Sequence, residues 1–583
     1  MNIIQFKCNR QINIPCSLIL PFFFFSFNEV CFLLVQLTQL LITNIIKFNM
    51  LSLREGFDRY PKPKDITYSY GTAGFRYIGD LLDSVAFRIG IIASLRSISL
   101  GGKTIGIVIT ASHNPPEQNG VKVIDPMGEM LPQEWEPFAN EFANCETFEG
   151  FQNYIKQKMQ HVPDQRVRPR VILARDTRAS GPHLLKAALD GIAVINGTAT
   201  DFGMLTTPQL HYLTRCFNDP KFGRNTENGY YEKLLSTTRR ILSLYDYTFL
   251  PSVTVDTANG IGGDKLSRID SLSDVLNFGV INGKTDHPEL LNVDCGADYV
   301  KTQQKLPAEL QKSSPKPDQL YASFDGDADR VVCYFVDGKT NKFRLLDGDR
   351  IATLFATFIG SLLKQLSGVD ITMGIVQTAY ANGSSTKFIQ EELKLPVYFT
   401  PTGVKHLHHK AQQFDVGIYF EANGHGTVLF SKKYTSELSI FLATTTDTKQ
   451  KAAAQTLLLL ADLINQTVGD SISDLVTVMV ALKIMGKSVN SWGADYTELP
   501  NRLFKLKVKD RSAFKTTDAE RKLVSPSGLQ AKLDEEISKY KQGRSFVRAS
   551  GTEDAVRVYA EAETQEECDN LGSGVCELVK AFS

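Results

Sequence analysis

Asp325, Asp327 and Asp329 occupy alternate positions, with only Gly326 and Ala328 between them. Spacers this small let the backbone curl and bring three carboxylates to one point. Three carboxylates that close cannot all stay ionised without a cation. Hard oxygen donors of this kind select Mg2+ or Ca2+. An EF-hand loop opens in the same way. Its sixth position, however, requires glycine where Arg330 stands, and its twelfth a bidentate glutamate where Val336 stands. The run after the triad, Val331–Val336, is strand-like rather than helical.

A second cluster lies on the N-terminal side of the triad. The β-branched run Thr104–Thr110 stops abruptly at Ala111-Ser112-His113-Asn114-Pro115-Pro116. This pattern predicts a buried strand that delivers the Ser112 hydroxyl onto an exposed loop. The two prolines exclude a helix there and stiffen the loop. With His113 beside it and Lys122 ten residues on, Ser112 is a candidate to carry a transferable group. Taken alone, the segment also fits an ordinary loop serine.

Three further loops carry chemistry. Arg548, Ser550, Gly551, Thr552 and Arg557 combine bidentate donors, hydroxyls and an opened backbone, which suits an anion; a solvated turn is the alternative. Glu421, Asn423 and Gly424 follow the strand-like run Val416–Phe420 and can read a polyhydroxylated ligand; a plain hairpin turn is the alternative. Lys405 opens a cationic cluster with His406, His408 and His409 at a helix start. No fourth ligand stands at a spacing that zinc uses, so these side chains are expected at the surface, facing sugar or phosphate. Gly279-Val-Ile-Asn-Gly283-Lys284-Thr285 has one residue too few between its glycines for a nucleotide-binding P-loop, and Gly101-Gly-Lys-Thr104 lacks the first glycine.

These loops need positioning elements, and the pattern supplies them. Short apolar runs ending in polar, glycine-rich loops alternate with helical stretches from about residue 65. This is the signature of α/β units, which hold ligands beyond the carboxyl ends of their strands. The last hundred-odd residues read as a helical connector (Thr448–Gln466) followed by an α+β segment. The 583 residues carry 64 basic and 64 acidic side chains, so no basic surplus favours nucleic acid. The nine cysteines are scattered without metal spacing, as expected in a reducing, cytoplasmic setting. Residues 1–49 are strongly apolar. They are read as a gene-model extension ahead of Met50, with a membrane span or a signal peptide as alternatives. A membrane is expected as a partner only if that extension is real.

Five motifs together resemble the α-D-phosphohexomutase superfamily. They are Gly71-Thr-Ala-Gly-Phe-Arg76, Thr110-Ala-Ser-His-Asn-Pro115, Asp325-Gly-Asp-Ala-Asp-Arg330, Glu421-Ala-Asn-Gly-His-Gly426 and Arg548-Ala-Ser-Gly-Thr-Glu-Asp554. The resemblance runs from about Tyr68 to the C-terminus. It implies four domains: 50–210, 211–324, 325–450 and, with the connector, 451–583. The first three are related α/β units and the last is TATA-box-binding-protein-like. It implies Ser112 as a phosphoserine, with Asp325, Asp327, Asp329 and a phosphoserine oxygen holding one Mg2+. Arg76, His113, Lys122 and His425 are implied near the reacting oxygens, with Lys122 the first candidate for acid–base work. Arg330, Lys405, Glu421, Asn423 and Gly424 are implied as contacts to the sugar phosphate. Arg548, Ser550, Gly551, Thr552 and Arg557 are implied around its distal phosphate.

Relatives acting on glucose or mannose phosphates tend to have serine where Asn423 stands. The implied reaction is therefore the interconversion of N-acetylglucosamine 6-phosphate and 1-phosphate through a sugar bisphosphate. The same chemistry on unacetylated hexose phosphates, or a silent sensor, is the alternative. Ala549, where the superfamily usually has proline, is expected to loosen the last loop slightly. A monomer without a protein partner is expected.

Overall fold

The computed structural model describes residues 52–582, apart from 161, 163, 165, 248, 249 and 551–554. The apolar segment 1–49 lies outside the described residues, as do Gly551 and Thr552. Among the described residues, no helix is long and apolar enough to cross a membrane.

Three mixed sheets repeat one plan. The first orders its strands β1-β3-β2-β4-β5. These are β1 (Phe75–Ile78), β2 (Thr104–Ile109), β3 (Gln118–Ile124), β4 (Arg170–Arg175) and β5 (Thr198–Met204). The second is ordered β10-β9-β8-β6-β7, from β6 (Ser252–Asp256), β7 (Asn277–Ile281), β8 (Leu320–Phe324), β9 (Val331–Val336) and β10 (Phe343–Leu346). The third is ordered β12-β11-β13-β14, from β11 (Met373–Thr378), β12 (Val397–Thr400), β13 (Val416–Phe420) and β14 (Gly426–Phe430). In each sheet a parallel strand turns back through one short loop into an antiparallel neighbour: β2 into β3, β8 into β9, β13 into β14. Those three loops are the ones that carry Ser112, the aspartate triad and Glu421. β2, β8 and β9 are buried along their whole length, which accounts for their largely apolar composition, β-branched in β2 and β9.

The sheets share one large core. It runs from Val108 and Ile172 through Val255 and Phe324 to Ile375 and Ile418. The segment read from the sequence as a connector forms the helix Thr448–Leu463; it and the following helix Ser471–Ile484 both contribute to this core, through Leu457, Leu460, Ile472 and Leu475. A separate small core, with Leu533, Val547, Val558 and Leu571, lies under a last antiparallel sheet ordered β15-β19-β18. Its strands are β15 (Asn501–Lys507), β18 (Arg544–Ala549) and β19 (Ala555–Glu561). A hairpin of β16 (Lys515–Thr517) and β17 (Lys522–Ser525) stands beside it.

Helices Asp83–Ser99 and Gly181–Ala193 back the first sheet and cross at paired glycines. A Cβ at Gly90 would lie 2.1 Å from the Ala188 carbonyl oxygen, and one at Gly191 2.0 Å from that of Phe87. Only glycine permits this approach of backbone to backbone. Gly191→Ala is therefore expected to lower stability by about 1–3 kcal/mol, measured as a shifted urea unfolding midpoint.

Candidate active site

The serine, metal and sugar loops meet at one place. Ser112 is fully buried, against the exposed loop expected from the sequence, because the aspartate loop of the second sheet closes over it. Its Oγ donates to Asp325 Oδ2 at 2.5 Å and lies 3.4 Å from Asp329 Oδ1. Its backbone has φ +56, a left-handed conformation that is unfavourable for a residue with a Cβ. The surroundings compensate for that strain. The Ser112 N–H donates to Thr110 Oγ1, and its carbonyl accepts from Arg178 Nη2 and Asn292 Nδ2, each at 2.9 Å.

Arg178 organises the whole loop. It is buried with Asp176, whose carboxylate accepts from Arg178 Nε at 3.0 Å. Nη1 donates to the carbonyls of Pro115 and Gln118, and Nη2 to those of Ser112 and Asn114. The metal loop touches the serine loop at main-chain level: a Cβ at Gly326 would lie 2.7 Å from the Ser112 carbonyl oxygen.

The three triad carboxylates each offer an oxygen within 4.8 Å of the others. Ala328 at φ +57 supplies the curl between them. Burial, then repulsion from Asp329 and Asp327, pushes the Asp325 carboxyl well above the ordinary carboxylate range. Burial also works against Asp329, but His425, Lys122 and Arg330 outweigh it and hold that carboxyl well below the ordinary range. Asp327 Oδ1 is buried without a hydrogen-bond partner, while its Oδ2 accepts from Thr207 Oγ1 at 2.6 Å. Converging buried carboxylates, one oxygen unsatisfied and one group resisting ionisation, fit a hard divalent cation.

Cationic groups ring the triad. Lys122 Nζ lies 3.4 Å from Asp329 and 3.7 Å from Asp327. Arg330 Nε is 3.7 Å from both Asp325 and Asp329, and its Nη1 is 3.7 Å from Asp298. His425 Nδ1 is 3.3 Å from Asp329, with Nε2 buried and unpartnered. Arg76 donates to Asn114 Oδ1; burial, then the Arg330 charge, pushes its guanidinium down to about 10. Burial, reinforced by Arg330 and Arg76, keeps the His113 imidazole neutral, and its Nδ1 has no partner.

In the sugar loop, Glu421 and Asn423 bond each other. Asn423 Nδ2 donates to Glu421 Oε2 at 3.2 Å, and Asn423 Oδ1 accepts from the His425 N–H. Glu421 Oε1 also accepts from the Gly403 N–H. Gly424, at φ +88, seats this loop against Val331, where a Cβ would lie 2.0 Å from the carbonyl oxygen.

Lys405 is held elsewhere. Its Nζ pairs with Glu136 and donates to the Leu131 carbonyl, on the wall of a cleft of about 490 Å3. His408, expected at the surface, is turned inward by a hydrogen bond with Tyr419 and by Glu129.

In the last sheet Arg548 and Arg557 stand directly opposite each other on β18 and β19, and Lys505 on β15 completes the row. Like charges opposed across strands are unfavourable, and an anion between them relieves this. Arg548 Nε donates to Tyr380 Oη, and the Ser550 carbonyl accepts from Arg511.

The structure thus adds Arg178, Asn292, Thr207 and Lys505 to the residues singled out by sequence. Thr207 had a local signal: Thr206 and Gln209 form a capping box that fixes the helix start facing the triad.

Comparison with known proteins follows the same lines. Residues 347–487 match the family model "Phosphoacetylglucosamine mutase AMG1, domain III" and 223–332 match domain II of that family. Residues 97–149 and 139–222 match "Phosphoglucomutase/phosphomannomutase, alpha/beta/alpha domain I", and 503–577 the C-terminal domain of that group. The phosphoacetylglucosamine mutase of Candida albicans is 50% identical over 550 residues, covering 91% of this chain and 99% of that protein. This chain belongs to the phosphoacetylglucosamine mutase family.

Its fold is accordingly the four-domain phosphohexomutase architecture. The crystal structure of an N-acetylglucosamine-phosphate mutase in its substrate complex superposes with a TM-score of 0.87 at 49% identity, over 91% of this chain and 99% of that one. An Aspergillus fumigatus N-acetylphosphoglucosamine mutase, crystallised with GlcNAc-6P and magnesium, gives 0.86 at 46% identity, over 91% and 100%. A serine-to-alanine variant of the A. fumigatus enzyme was crystallised with glucose 1,6-bisphosphate.

The triad's fit to a cation is directly measurable. Mg2+ at a hundred times its Kd is expected to stabilise the protein by about 2.7 kcal/mol in thermal unfolding, and Asp325→Ala to abolish that shift.

Proposed function

We propose that this protein interconverts N-acetylglucosamine 6-phosphate and N-acetylglucosamine 1-phosphate, with Ser112 as the phosphoryl carrier and a sugar bisphosphate between the two transfers. One observation carries the reading: a buried serine hydroxyl 2.5 Å from the carboxylate triad, at the meeting point of the metal and sugar loops. The family membership supports it.

Asp325, Asp327 and Asp329, with an oxygen of phosphorylated Ser112, would hold Mg2+. When bound, the cation supplies neutralisation of charge on the phosphoryl oxygens. The protein's own groups do the rest. In the first transfer a sugar hydroxyl oxygen attacks phosphorus and the P–Oγ bond of phosphoserine breaks. The hydroxyl proton passes to a nearby base. Lys122, beside the triad, is the proposed proton carrier, and neutral His113 offers its unpartnered Nδ1 as a second acceptor. Arg76, Arg330 and His425 add positive charge or donors around the phosphoryl oxygens. The departing Ser112 Oγ takes that proton back. In the second transfer it attacks the phosphorus of the sugar's other phosphate, and the bond from that phosphorus to the sugar oxygen breaks. The serine proton passes to the released sugar oxygen.

Arg548, Ser550, Gly551, Thr552 and Arg557 are proposed to hold the phosphate that is not reacting. Glu421 and Gly424 are proposed to position the sugar. Asn423, with Oδ1 committed to His425 and one Nδ2 hydrogen to Glu421, retains a second hydrogen that can meet an acetamide carbonyl. Lys405 is proposed to act through the contact with Glu136 instead of touching the sugar. A cytoplasmic location and a monomeric state complete the proposal and rest on the sequence alone.

Turnover of N-acetylglucosamine 6-phosphate with Mg2+ and catalytic glucose 1,6-bisphosphate is expected, falling at least about a thousandfold in Ser112→Ala. An intact rate in that variant would exclude the serine as carrier. Asn423→Ser is expected to shift kcat/KM about 10- to 100-fold towards unacetylated hexose phosphates, measured side by side.

A further inference from the structure

The tip of the β16–β17 hairpin is built in an unusual way. Asp518, Ala519 and Glu520 have φ values of +52, +54 and +68, three consecutive left-handed residues that all bear a Cβ. Backbone of this kind persists only where its surroundings impose it, and it concentrates at functional positions. The tip leaves its own small domain and reaches the loop Thr402-Gly403 that follows β12. There Glu520 Oε2 accepts from the Thr402 N–H at 2.9 Å and from Thr402 Oγ1 at 2.5 Å. The neighbouring Arg521 guanidinium packs 4.2 Å from the Phe399 ring centroid.

The other carboxylate oxygen points back. Glu520 Oε1 lies 3.6 Å from Arg548 Nη1. One carboxylate therefore touches two domains with its two oxygens. On one side Thr402 adjoins Gly403, whose N–H donates to Glu421 of the sugar loop. On the other side Arg548 belongs to the basic row of the last sheet. The two domains are also joined at Arg544, which donates to the Ala379 carbonyl, and at Glu561, which accepts from the Gly383 N–H. Arg548 Nε also donates to Tyr380 Oη, and the further attachment at the hairpin tip fixes orientation as well as proximity.

We propose that Glu520 is a positioning residue that sets the distance between the sugar-reading loop and the distal-phosphate arginine. Glu520 acts through Thr402 and Arg548, and no contact between it and the sugar is invoked. This inference rests on the mutase reading for what the two loops hold, but the contacts themselves do not depend on it.

The test compares wild type with Glu520→Ala and Glu520→Gln. Glutamine keeps an acceptor for Thr402 but loses the charge facing Arg548. Glu520→Ala is expected to raise KM for N-acetylglucosamine 6-phosphate about tenfold with kcat within about threefold and an unchanged melting temperature. Glu520→Gln should fall between it and wild type. Titration calorimetry with inorganic phosphate supplies a readout independent of turnover, and Glu520→Ala should weaken that binding several-fold. Wild-type KM and phosphate affinity in Glu520→Ala would overturn the inference. So would a parallel loss of kcat and melting temperature, which would mark a merely structural contact. A wild-type protein without turnover would sink the mutase reading instead, and the phosphate titration would still decide the role of Glu520.

Discussion

The arrangement depends most on the Arg178 guanidinium. Arginine has five N–H donors in a planar fork, and here each has a partner: one on Asp176 and four on consecutive turns of the serine loop. A loop with two prolines and a left-handed serine would otherwise leave buried carbonyls unpaired, each costing about 1–3 kcal/mol. Arg178 turns those carbonyls into the reason for the loop's shape. The charge is tolerable in the interior because Asp176 is buried with it, and Asp176 is itself steadied by Thr110. Asn292, from a loop of the second domain, adds two bonds to the same carbonyls and ties the serine loop across the domain boundary.

Around that fixed loop the electrostatics are divided. The triad concentrates negative charge where burial resists it, and Lys122, Arg330 and His425 offset only part of the repulsion. The last sheet does the opposite, lining up Lys505, Arg557 and Arg548 on one face. One end of the site thus favours a cation and the other an anion. A phosphorylated sugar in the presence of Mg2+ suits both without any large net charge on the protein, and the balance of 64 basic and 64 acidic residues agrees with this.

Much of this was legible in the sequence because it is local. The aspartate spacing, the proline-stiffened serine loop and the apolar runs of β2, β8, β9 and β13 are properties of adjacent residues, and β2 and β13 lie within a residue of where their patterns put them. What was hidden depends on pairs distant in the chain. Arg178 reads as one charge in a polar loop until β4 is placed beside β2, which brings its side chain under Ser112. The burial of Ser112 follows from a loop over two hundred residues away. Lys505 gains meaning only from its register with Arg557. The inward turn of His408 and the Lys405–Glu136 pair likewise need the third sheet packed against the first, which no local pattern encodes.

Gly326 meets the Ser112 carbonyl with no side chain between them. The separation of the serine loop from the aspartate loop is therefore set by main-chain atoms, in contact across two domains, and no rotamer change can alter that backbone spacing. On the function proposed above, a carrier with its backbone anchored in this way leaves the sugar as the mobile participant. Between the two proposed transfers the sugar bisphosphate would turn end for end while the serine backbone stays in place.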